Sequence, residues 1–397
     1  MTRSPRSTRT YGLAALALTL SASLAACSDD GTSVPKSASG DGEIAGSGGS
    51  TGGGALPSHG EGAASDSAAA GPSSGSTGVP SSGATRPSDG ETPGATRPQT
   101  SPGILTAGAW DDNLNFARFL DYRKTITTSE PSSVLPFTDA EHSAAHDAFA
   151  GARTPKTRLD IALLVDTTGS MGDEIAYLKR EFQNLTAAIA QKYPASSQRW
   201  SLVLYRDTTD DYIVRWFDFR TDLDDYRSKL GAQGAGGGGD FPEAPDQGFE
   251  RMNALSWRQD ADVARVAFWV ADAPAHDANV GRLATALRGS RDRGVHVYPV
   301  ASSGVDEPTE LGMRSAAQIT GGRYLFLTDD SGVGGAHKEP SIPCYFVTKL
   351  DQAILRMVDV ELTGAYREPD ASEVIRTGGN PVNRECSQFQ GGTLTAF

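Results

Sequence analysis

The segment Leu159-Asp160-Ile161-Ala162-Leu163-Leu164-Val165-Asp166-Thr167-Thr168-Gly169-Ser170 carries two signals in twelve residues. Its first seven positions are almost continuously apolar, the pattern of a strand buried on both faces. Asp166, Thr168 and Ser170 then follow at intervals of two, a spacing that can turn three oxygens to one side. Ile175, Leu178, Phe182, Leu185 and Ile189 come next at spacings of three and four, which predicts a helix over 173–193. The acidic and hydroxyl residues therefore fall in a turn between a buried strand and a helix.

The same alternation continues downstream. Apolar runs predict strands at 200–205, 213–219, 263–270, 295–300 and 323–327. Amphipathic stretches predict helices at 222–230, from Pro242 to about Leu255, and at 280–293, 310–319 and 345–362. The polar stretch Asp207-Thr208-Thr209-Asp210-Asp211 joins two strands and suggests a hairpin, and Gly231 to Gly239 form a glycine-rich loop. Strands alternating with helices imply an α/β fold: a mainly parallel central sheet with helices on both faces. Ligands in such folds bind at the carboxyl ends of the strands. Two strands end in aspartate, at Asp166 and Asp272, so both carboxylates are expected at one edge.

Carboxylate and hydroxyl oxygens are hard donors. They suit a divalent cation, Mg²⁺ first and Mn²⁺ or Ca²⁺ as alternatives, over a thiol-loving metal. The bland alternative is a structural turn in which Asp166 caps the helix and the hydroxyls satisfy backbone donors. The opening strand and helix, 159–179, resemble the von Willebrand factor type A family, and the likeness spans about 158–328. The resemblance implies a Rossmann-like fold and a metal-ion-dependent adhesion site with the pattern D-x-S/T-x-S, matched by Asp166, Thr168 and Ser170. It also implies a late aspartate, matched by Asp272 in Val270-Ala271-Asp272-Ala273-Pro274. The middle element departs. Where the family has a threonine after a glycine pair, this chain has Gly238-Gly239-Asp240-Phe241-Pro242-Glu243, and Asp240 is the expected substitute. If Asp240 binds directly, a carboxylate in place of a hydroxyl would hold the cation more tightly and weaken its pull on an acidic partner; if it acts through water, the usual adhesion chemistry is kept. Asp207 and His276 could reach the rim, but read first as solvated loop residues.

The chain ends add context. Arg3, Arg6 and Arg9 precede a run of small residues and leucine from Tyr11 to Ala26, too short to span a membrane as a helix. The run ends in Leu24-Ala25-Ala26-Cys27, which resembles a bacterial lipobox. Residues 1–26 are thus expected to be a lipoprotein signal peptide, with Cys27 the lipidated residue. Residues 27–103 read as a Gly/Ser/Pro-rich disordered tether, too poor in apolar side chains to offset the entropy of ordering. The expected location is the cell envelope, outside the cytoplasm, with membrane contact through the N-terminal lipid alone.

The net charge of −13 becomes −16 once the three arginines of the signal are removed, which argues against nucleic-acid binding. Cys344 and Cys386 remain as an even pair in an oxidising compartment and are expected to form a disulfide. Residues 104–157 read as a prefix of one short helix with an extended lead-in, packed on the 158–330 domain. Residues 331–397 read as a C-terminal helix and disulfide-closed extension. His142 and His146 lie four apart, but Ser143 stands where H-E-x-x-H needs glutamate, so both read as exposed helix residues.

Enzyme readings find little support. Thr168 replaces the second aspartate of a dehalogenase-like phosphatase, no Gly-Lys-Ser/Thr follows the glycine loop, and Gly169-Ser170-Met171-Gly172 is not a nucleophile elbow. The expectation is a non-enzymatic binding or adhesion module that contacts a protein or polymer partner through the cation. The alternative is a structural or assembly lipoprotein in which the cation only stabilises the fold.

Overall fold

Parallel strands with apolar side chains on both faces need helices on both sides, and this requirement organises the molecule. The computed structural model describes residues 40–46, 104–129, 134–149, 153–383 and 385–397. The signal segment, Cys27 and almost all of the expected tether lie outside the described residues.

Five parallel strands form the centre of a ten-stranded sheet: β3 (Arg158–Asp166), β4 (Ser197–Tyr205), β6 (Val263–Ala271), β7 (Val295–Ala301) and β8 (Tyr324–Leu327). Their spatial order is β4-β3-β6-β7-β8, with β3 paired along its length to both β4 and β6. Antiparallel strands flank this centre. On one side are β5 (Tyr212–Arg220) and, outside it, β1 (Gly42–Ala45). On the other are β2 (Thr106–Trp110), β9 (Tyr345–Lys349) and β10 (Arg376–Gly378). A separate hairpin pairs β11 (Glu385–Phe389) with β12 (Gly392–Thr395).

Alternation along each strand divides the core into two layers. Ile161, Leu163, Val165, Leu204 and Phe268 face α3 (Ile175–Lys192), α4 (Leu223–Gly231) and α8 (Leu350–Thr363). Ala162, Leu164, Val203, Ala267 and Trp269 face α5 (Pro245–Asn253), α6 (Val280–Asp292) and α7 (Glu307–Thr320). Outside α7 lie α1 (Phe116–Ser129) and α2 (Asp139–Phe149), with Phe119, Tyr122 and Ile126 packed against Leu311. The fold is the expected α/β class, and the 206–211 turn is a β4–β5 hairpin.

Four expectations are corrected. First, the prefix is part of the sheet: β2 is buried throughout, and Gly108 is required because a Cβ there would meet the Phe326 ring at 2.3 Å. The prefix also carries two helices. Second, the last helix begins at Leu350, because Tyr345–Lys349 form β9. Third, His142 is fully buried, its Nδ1 2.7 Å from Gln318 Oε1, while His146 stacks on Phe116 at 4.4 Å. Fourth, β1 lies inside the stretch read as wholly unstructured tether. The Cys344–Cys386 disulfide is present. No helix among the described residues is long and apolar enough to cross a membrane.

Candidate functional site

The carboxyl ends of β3 and β6 are adjacent, since Val165 pairs with Val270. This register brings Asp166 and Asp272 to the same edge of the sheet. Asp166 is fully buried. Its Oδ1 accepts from the Thr168 amide at 2.9 Å and from the Thr168 hydroxyl at 2.6 Å. The Thr168 hydroxyl lies 3.2 Å from that of Ser170, which is exposed. Because Thr168 donates to the carboxylate, its oxygen lone pairs remain available to a cation. Asp166 Oδ2 is buried and has no hydrogen-bond partner among the described residues. Burial, and then the charge of Asp272, push the Asp166 carboxyl well above the usual carboxylate range; hydrogen bonding from Thr168 and the Tyr205 hydroxyl pulls it part of the way back.

The glycine loop closes over this turn through its backbone. Gly236 N donates to Thr167 O at 3.0 Å, and Gly169 N donates to Gly237 O at 3.1 Å. Gly237 and Gly238 both have φ of +76°, a left-handed conformation that glycine adopts without strain. At Gly237 a Cβ would also collide with the Asp210 carboxylate, which accepts from Gly238 N at 2.9 Å.

Asp240, the expected middle ligand, is exposed. The buried carboxylate on this loop is Glu243, 2 % accessible. A Cβ built on Gly238 would lie 3.3 Å from Glu243 Oε1 and 3.4 Å from Thr168 Cβ, so Gly238 separates the two by the width of a bare backbone. Glu243 Oε2 is buried without a hydrogen-bond partner among the described residues. Burial, followed by the charges of Asp166, Asp207, Asp210 and Asp272, pushes Glu243 up to about 10. Glu243 is hidden in the sequence because Pro242 resembles a helix start. Helix α5 begins at Pro245, and Glu243 is instead held in extended form, its N–H bonded to Pro274 O at 2.9 Å and its backbone bridged to Ala275. The second proline of Pro242-Glu243-Ala244-Pro245 was the available signal.

Asp207 and His276 are not solvated loop residues. Asp207 is buried and lies 2.7 Å from His276 Nε2. A neighbouring cluster joins three loops. Glu174, at the start of α3, accepts from Ser303 N at 3.0 Å and lies 3.0 Å from His337 Nε2; His337 Nδ1 lies 2.8 Å from Asp329 Oδ1. Burial alone would lower the His337 pKa, but its bonds to Asp329 and Glu174 outweigh that and hold it at about 9.

Among the described residues, no three Asp, Glu, His or Cys side chains are grouped closely enough to hold a metal by themselves. Hydroxyl groups or water would have to complete a shell. The donors present fit that requirement: buried carboxylate oxygens with no internal partner, beside two hydroxyls, at an edge of low dielectric where like charges repel.

No protein-family model matches the chain. It is similar to an ariadne-like RING finger protein, R811, of Acanthamoeba polyphaga mimivirus, 28 % identical over 190 residues, covering 43 % of this chain and 18 % of that protein. It is also similar to the alpha-protein kinase vwkA of Dictyostelium discoideum, 26 % identical over 138 residues, covering 34 % of this chain and 22 % of the kinase. The chain thus spans about a fifth of the length of these relatives. Among solved structures, BatB of Bacteroides thetaiotaomicron aligns with a TM-score of 0.29 and 12 % identity, over 36 % of this chain and 66 % of BatB.

Proposed function

We propose that this chain is a von Willebrand factor type A-like binding module of the bacterial cell envelope, lipid-anchored through Cys27 and using a divalent cation, Mg²⁺ by preference, to contact a protein or polymer partner. The ligand set is Asp166, Thr168, Ser170 and Asp272, with Glu243 in the role first assigned to Asp240. The observation that carries this reading is the pair of buried carboxylates, Asp166 and Glu243. Each has an oxygen without a hydrogen-bond partner among the described residues; Asp166 holds the Thr168 hydroxyl, and Glu243 lies across Gly238 from Thr168. A divalent ion would satisfy both at once.

With Asp166, Asp272 and Glu243 ionised, a doubly charged cation leaves the site one unit negative. This charge favours tight retention of the ion and a neutral or hydroxyl-rich partner group over a carboxylate. It also supports the second reading, a structural cation in an assembly lipoprotein. Chelation separates the two. Immobilised protein is offered envelope extract in Mg²⁺ and in EDTA, with circular dichroism and thermal melts in parallel. Capture lost in EDTA while the fold persists supports the binding module. A lower melting temperature with unchanged capture supports the structural reading. If Mg²⁺ changes neither, both fail.

A further inference from the structure

Strand β1 lies against the outer edge of β5 in a defined register: Gly42 opposite Trp216, Glu43 opposite Arg215, Ile44 opposite Val214. Little apolar burial holds it, since Ile44 is 37 % exposed. Its side chains are nevertheless matched to the edge. Asp41 pairs with Arg220 and accepts from the Asp218 amide at 3.1 Å. Glu43 accepts from Arg215 Nε at 2.7 Å, and the Gly40 carbonyl accepts from the Trp216 indole. The glycines are matched too. A Cβ at Gly42 would meet the Trp216 ring at 2.3 Å, and one at Gly46 would meet the Asp210 carbonyl oxygen at 1.8 Å. Residues 40–46, Gly-Asp-Gly-Glu-Ile-Ala-Gly, are thus fitted at five positions in a segment whose composition predicted no structure.

We propose that the outer edge of β5 is a strand-acceptor site for an extended acid–Gly–acid peptide, and that residues 40–46 are its built-in occupant, a releasable strap. Strand addition draws affinity from main-chain bonds and specificity from alternate side chains, and this pattern is met here. Release is within reach because exposed ion pairs contribute little, while the docked strand closes a loop of about 60 residues back to β2. With the strap docked, about 12 residues separate Cys27 from the domain; with it released, about 75 do. This change in tether length, counted in residues, rests on the lipid-anchor reading, whereas the acceptor site itself does not. Docking also bears on the candidate cation site, because Gly46 abuts Asp210, which holds the Gly238 amide.

Hydrogen–deuterium exchange on the full-length protein tests this. Residues 40–46 and 212–216 should be protected in the wild type. Gly42→Val, which drives a side chain into Trp216, should speed exchange in both stretches at least tenfold while the rest of the sheet is unchanged. Glu43→Arg should do the same, and Glu43→Arg with Arg215→Glu should restore protection. Exchange in 40–46 as fast in the wild type as in Gly42→Val, or failure of the double reversal to restore protection, would overturn the acceptor site. Protection that falls on dilution would place a second copy's strand on the edge and overturn the built-in occupant.

Discussion

Two buried carboxylates at the carboxyl ends of the central strands, Asp166 and Glu243, stand in contrast to two at the amino ends, Asp160 and Glu361. At the amino ends of the strands, Asp160 and Glu361 each have internal basic partners. Asp160, fully buried in β3, accepts from Arg199 at 2.6 Å and from Arg258 at 2.7 Å. Glu361 is gripped by Arg153 and His296, and although burial would raise its pKa, those charges hold it well below the usual carboxylate range. At the carboxyl ends, Asp166 and Glu243 make no ion pair among the described residues, and the charges that act on them most strongly are those of other acids. Similar burial therefore has opposite consequences. The amino end is complete as folded, whereas at the carboxyl end burial and like charge oppose ionisation of Asp166 and Glu243, and a cation from solution would favour their charged forms.

The largest expected effect lies at the amino end. Asp160→Asn leaves Arg199 and Arg258 around a neutral group and should cost about 3–5 kcal/mol of stability, equally with and without Mg²⁺. Urea denaturation measures this, and a cation-dependent loss would break the contrast between the two ends.

His337 sharpens it, because Glu174 sits at the carboxyl end but does have an internal cation. The folded pKa of His337 is about 9, above its ordinary value of 6.5. The stability it contributes is fully present below about pH 6.5 and is lost as pH rises through 9. The difference is on the order of 3 kcal/mol. The gap in urea midpoint between wild type and His337→Gln should therefore be wide at pH 6 and close by pH 10. A gap that does not change with pH would remove the charge from this argument.

A smaller effect separates Glu243 from Asp240. Glu243→Gln should weaken Mg²⁺ binding at least tenfold and leave the cation-free protein as stable as wild type or more so. Asp240→Asn should change affinity less than threefold. Equilibrium dialysis reads both, and the reverse ranking would restore Asp240 as the ligand.

The central strands, the helices on both faces and the position of Asp166 beside Asp272 were legible in the sequence, because periodicity reports burial directly. The rest was less so, for identifiable reasons. Thr106–Trp110 is a strand made largely of small residues, with Gly108 set by an aromatic ring from β8, so its side chains carry little strand signal. His142 is buried against Phe119 and Phe137 and bonded to Gln318, 176 positions away in sequence, an arrangement that local pattern cannot foresee. Glu243 was hidden by a three-residue error in where α5 starts. Residues 40–46 are matched to arginines on β5, and only the folded sheet brings them together.

Calorimetric titration of Mg²⁺ into wild type and Asp166→Asn is the most direct test of whether the carboxyl end is a cation site. Wild type should bind one ion per chain, and the variant should lose at least a hundredfold in affinity while melting no earlier than cation-free wild type. Equal binding by the two proteins, or none by either, would contradict it.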